Sequence, residues 1–135
     1  MNKYMMFAAA FTVGAALTLL AATEQEHAKW MKTVQKASGD LKKGIEAKDA
    51  DAASKEAKTL VESFKTIGAF YGDRNTADAV KMAKDSEMAA GEVEAAVASK
   101  DFDKAGASLK RMMGSCGGCH KVHREKGEDG TYKIK

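Results

Sequence analysis

The chain has 135 residues, room for one domain, and its 44% hydrophobic and 30% charged residues describe a globular composition and exclude a disordered one. With 22 basic against 19 acidic residues the net charge is +3, too balanced for a nucleic-acid binder working through backbone charge alone. Proline is absent, aromatics are 7% and alanine is frequent, which argues against sheet-and-turn architectures and for long uninterrupted helices, and two cysteines cannot build a disulfide scaffold.

Residues 1–22, MNKYMMFAAAFTVGAALTLLAA, read as a targeting segment outside the fold. Lys3 supplies a short positive region, and an apolar run from Met5 to Ala22 ends in small residues. This predicts a secretory signal peptide cleaved near Ala22, although Leu20 stands where a smaller residue is usual. The alternative is an uncleaved anchor, since about 18 apolar residues just span a bilayer. No cysteine follows that would take a lipid. Export of this kind places the domain in a bacterial periplasm, where thiols must be bonded to something or they oxidise.

Four helices are expected in chain order. The first is capped by Thr23 with Glu26 reaching back, and its apolar stripe is His27, Trp30, Met31, Val34, Leu41 and Ile45. Asp49 or Asp51 caps the second, which turns Ala53, Ala57, Leu60, Val61, Phe64, Ile67 and Phe70 inward and stops at Gly72. Asn75-Thr76 opens the third, with Ala79, Met82 or Ala83, Ala90, Val93 and Val97 on one face. Asp101 caps the fourth, whose stripe runs Phe102, Ala105, Leu109, Met112, Cys116, Cys119 and His123 to an end near residue 126. Residues 127–135 form a short polar tail. Helices of this length on short loops predict an all-α, antiparallel up-down-up-down bundle over residues 23–126.

Cys116-Gly117-Gly118-Cys119-His120 is the most specific feature of the chain, because C-x-x-C-H is the attachment signature of c-type haem. Two thiols three positions apart share a helix face and reach the two vinyl groups of one porphyrin. His120 stands one turn beyond Cys116, where its imidazole reaches the iron, and Gly117 and Gly118 leave little bulk beside the ring. A thioredoxin-type C-x-x-C needs a βαβ setting that is not predicted. A zinc site from Cys116, Cys119, His120 and His123 has the right atoms but an unusual spacing. A plain disulfide leaves His120 unexplained.

A C-x-x-C-H near the end of a four-helix exported domain resembles the class II cytochromes c, the cytochrome c prime family. Arg124, four residues after His120, matches a basic residue of that family, whereas His123 stands where an aromatic residue is commoner. In the family the residue facing the open side of the iron comes from the first helix. The segment Glu26 to Lys32 looks like that region, closest to low-spin members with a methionine ligand. The resemblance thus implies one covalent haem held by Cys116 and Cys119, with His120 and Met31 on the iron. Depth along an up-down bundle agrees, with His120 about 9 Å from the end of the fourth helix and Met31 about 10 Å into the first. His27, one turn before Met31, is a rival for bis-histidine ligation. As a first-turn residue it is expected at the surface. Arg124 is expected to pair with a haem propionate.

These readings predict a non-enzymatic carrier of single electrons that cycles ferric and ferrous iron. Exposed Lys29, Lys32, Lys110, Arg111, Lys121, Arg124 and Lys126 suggest an acidic redox partner. The first alternative is a five-coordinate protein binding nitric oxide or carbon monoxide, with Met31 only packing. The second is a zinc- or disulfide-stabilised helical binding module without haem. Pairing into a homodimer stays open, and contact with a membrane is expected only if the leader is retained.

Overall fold

The computed structural model describes residues 21–135, so the leader expected over residues 1–22 lies outside the described residues except for Ala21 and Ala22. Four helices follow: α1 (Glu24–Glu46), α2 (Ala50–Gly72), α3 (Ala77–Ala98) and α4 (Phe102–His123). Their starts are set by local chemistry. Thr23 closes a capping box, its Oγ1 accepting from the Glu26 amide at 3.2 Å while its own amide donates to Glu26 Oε2 at 2.7 Å. Asp49 Oδ1 accepts from the Ala52 amide and Asp101 Oδ1 from the Lys104 amide, each at 3.0 Å. Thr76 precedes α3 without a side-chain cap bond.

One turn is used at all three connections. The residue before each N-cap is left-handed, with φ of 54° at Lys48, 54° at Asn75 and 58° at Lys100. The N-cap amide then bonds back to the helix just ended: Asp49 to the Gly44 carbonyl at 2.9 Å, Thr76 to Tyr71 at 3.0 Å and Asp101 to Ala96 at 2.9 Å. Such short reversals make sequence neighbours antiparallel.

The apolar stripes meet in one core. Leu41, Leu60, Phe70, Val93, Val97 and Met112 are its largest fully buried members. Trp30, Met31, Val61, Phe102 and Cys116 pack against it half-buried. At Gly44 α1 and α2 approach closely, since a Cβ there would stand 3.0 Å from the Ala53 amide nitrogen. Sequence neighbours pack extensively, whereas α1 and α4 touch much less, so the seam between them is the slightest of the bundle. No described helix is long and apolar enough to cross a membrane.

The C-terminal end differs from expectation. The fourth helix stops at His123 instead of near residue 126. Arg124 is extended (φ −128°, ψ 135°) and opens a two-stranded hairpin of β1 (Arg124–Lys126) and β2 (Tyr132–Ile134). Arg124 pairs with Ile134 and Lys126 with Tyr132, and the Lys135 amide donates to the His123 carbonyl at 3.0 Å. Residues 127–135 are therefore in large part a strand and its turn, with Gly130 taking the positive φ of 80° that the turn requires. The strand residues Tyr132, Lys133 and Ile134 are too few for alternation to stand out in a polar sequence.

Candidate cofactor site

The start of α1, the end of α2, the start of α3 and the end of α4 share one end of the bundle, and the C-x-x-C-H segment lies there in the last two turns of α4. Cys116 and Cys119 are free thiols, both half-buried, and His120 is half-buried beside them. Burial pushes the Cys116 thiol up. It does the same to Cys119, helped by the charges of Asp78 and Cys116. A Cβ added at Gly117 or Gly118 would meet nothing within 4 Å, so this face of α4 is open.

A stack of rings fills the space beside the motif. The His27 ring centroid lies 4.7 Å from Phe70 and 5.5 Å from Tyr71, and Tyr71 lies 5.8 Å from His123. Trp30 meets Phe70 edge-on at 5.9 Å. Arg74, one turn beyond Phe70, lays its guanidinium 3.5 Å over the Phe70 ring and donates to the Ala22 carbonyl at 2.9 Å. Burial raises the Tyr71 phenol to about 12, with the nearby Cys119 adding to the effect. His123 Nε2 lies 2.8 Å from Asp78 Oδ2 in the first turn of α3.

His27 corrects an expectation. It is not a wet first-turn residue but is only 8% exposed, inside the ring stack. Its Nε2 is buried with no hydrogen-bond partner among the described residues. Burial, then the charges of Arg74 and His120, lower its pKa to about 4, so the imidazole is neutral at neutral pH. Leaving such a nitrogen unpaired costs about 1–3 kcal/mol. His120 is likewise held below the usual histidine range, by burial first and then by Arg124.

The sequence-derived residues are thus distributed unequally. Cys116, Cys119 and His120 stand together, and His120 is near enough to His27 for their charges to interact. Met31 packs half-buried against the core one turn deeper along α1. Arg124 acts on His120, but from an extended strand, with its guanidinium 3.9 Å over the Tyr132 ring and not on the helical turn expected for it. Arg74 and Asp78 were missed. Their only signal was position, Arg74 one turn after Phe70 and Asp78 in the first turn of α3.

The donor set fits a c-type haem: two thiols on one helix face, an imidazole one turn from the first, and an unpartnered imidazole nitrogen buried on the helix across the slightest seam. Among the described residues no group of three His, Cys, Asp or Glu side chains is placed to hold a metal ion. A haem iron asks for two protein donors only. A shallow groove bounded by Trp30, Lys58, Thr59, Glu62, Ser63 and Thr66 lies between α1 and α2 and carries no such chemistry. Comparisons of the chain with known protein families, with curated proteins and with solved structures find no match.

Proposed function

We propose that the chain is a monohaem c-type cytochrome of the four-helix kind, exported to the periplasm, that carries single electrons between redox partner proteins. The observation that carries this reading is the half-buried Cys116, Cys119 and His120 on one helix end beside a buried ring cluster. A haem joined to the two thiols supplies an iron that alternates between ferric and ferrous states. His120 on α4 would hold that iron, and Met31 and His27 on α1 are the candidates for a second protein donor. The Phe70 and Tyr71 rings exclude water from this end. Arg74 and Arg124 lie within reach of the same end as cationic partners for propionates. Exposed Lys29, Lys32, Lys121 and Lys126 give an acidic partner a surface to approach.

The test is production of the full chain with and without a cytochrome c maturation system, followed by denaturing electrophoresis and a haem stain. Haem that survives denaturation in wild type, and is lost from a Cys116→Ala/Cys119→Ala variant, supports the proposal. A colourless protein from a competent strain overturns it.

A further inference from the structure

We propose that His27 Nε2, and not the Met31 thioether, takes the iron position opposite His120, so that the protein binds its haem through two histidines. This rests on the haem reading above. Two observations favour His27, and a third concerns the seam that a haem would enter. First, the His27 ring is buried among Phe70 and Tyr71 with its Nε2 unpaired among the described residues. A leucine or phenylalanine would fill that space without stranding a polar atom, so packing alone does not account for an imidazole there.

Second, the two imidazoles lie equally far from the ends of their own helices, and His120 is near enough for its charge to act on His27. His120 is three residues from the end of α4 and His27 three residues from the start of α1, each about 4.5 Å deep at 1.5 Å per residue. Met31 is seven residues in, about 10 Å along the same helix. Third, α1, which carries both His27 and Met31, packs against α4 far less than the other neighbouring helices pack together, so this seam is where a haem would part the bundle at least loss.

Chemically, neutral imidazole donates the Nε2 lone pair to iron, and no proton or electron need be moved to form the bond. The Nδ1 side carries the proton in that tautomer. Met31, one turn deeper, serves as wall and not as ligand.

The experiment uses the mature haem-loaded protein and reads its absorption and electron paramagnetic resonance spectra, oxidised and reduced, with and without carbon monoxide. The expected wild-type spectrum is low-spin in both states, lacks the methionine-to-iron charge-transfer band, and responds little to carbon monoxide. His27→Ala is expected to become high-spin and to bind carbon monoxide, with added imidazole restoring the low-spin spectrum. Met31→Leu is expected to keep the wild-type spectrum. Should His27→Ala fail to accumulate, His27→Met keeps the question open to measurement, because a new charge-transfer band then marks replacement at that position. A charge-transfer band in wild type that Met31→Leu abolishes overturns the inference while leaving the haem reading intact. So does a high-spin wild type. Absence of covalent haem overturns both, and the haem stain identifies that outcome separately.

Discussion

His123, the last residue of α4, is tied to Asp78, in the first turn of α3, by a 2.8 Å contact between Nε2 and Oδ2. The bond fastens the end of the motif-bearing helix to its neighbour just where the chain turns out into the hairpin. The His123 bond is also the main reason that the Asp78 carboxyl is held below the usual carboxylate range. A depressed carboxylate contributes stability that is present above its unfolded pKa and lost as pH falls through the folded one. Asp78→Ala should therefore speed amide hydrogen exchange in residues 120–135 at neutral pH, with the difference from wild type closing on acidification. Equal exchange at all pH values would show that the pair does not hold this end.

The buried His27 predicts a second, larger pH effect in the haem-free chain, for which the Cys116→Ala/Cys119→Ala variant serves. Its folded pKa of about 4 lies below the ordinary value of 6.5, so the unfolded chain binds the extra proton first. Stability is then fully present above pH 6.5 and falls as pH drops toward 4, by at most about 3 kcal/mol. Urea unfolding across this window measures it. Replacing His27 with Phe should flatten the slope, and an unchanged slope would assign it to other groups.

Two glycines of α1 should answer differently to the same change. Nothing lies within 4 Å of a Cβ built at Gly39, so Gly39→Ala should stabilise the helix by roughly 0.5–1 kcal/mol. At Gly44 the new methyl meets the Ala53 backbone at 3.0 Å, and the propensity gain should be cancelled or reversed. Thermal unfolding of the two variants side by side decides this.

The three left-handed connection residues make a similar contrast. Lysine carries a Cβ penalty in that conformation, so Lys48→Gly and Lys100→Gly should each stabilise by about 0.5–1 kcal/mol. Asn75→Gly should gain less, because asparagine already tolerates the conformation. Chemical denaturation midpoints report the order, and a loss of stability at either lysine would mean that its side chain has a role of its own.

The exposed lysines of the motif end predict a salt effect. Electron transfer with an acidic redox protein should slow as ionic strength rises, and Lys29→Glu/Lys32→Glu should lower the rate at low salt several-fold. A rate indifferent to salt would remove charge from the account of partner choice.

Much of the fold is legible in the amino-acid sequence. Thr23, Asp49 and Asp101 announce three helix starts because a cap is a local bond between residues three apart in the chain. Val34, Leu41, Phe64, Phe70, Val93 and Met112 show their burial through period alone. The site was legible as far as it is local, since Cys116 to His120 are consecutive. The depth of α4 was not. Its end depends on a hairpin whose partner strand, Tyr132–Ile134, lies across a turn, and no pattern in a polar tail announces that pairing. The burial of His27 was hidden for a related reason. A first-turn residue is dry only if another element covers it, and here the cover is Phe70 and Tyr71 from the far end of α2.

The unequal seams also say something about the order of assembly. The large interfaces join α1 to α2, α2 to α3 and α3 to α4, each closed by a turn of a few residues, so they cost little loop entropy and form fast. Contact between α1 and α4 closes the longest loop of the bundle and is much slighter than the other three, so it comes late. The slight joint between α1 and α4 is thus the one left open longest as the bundle folds.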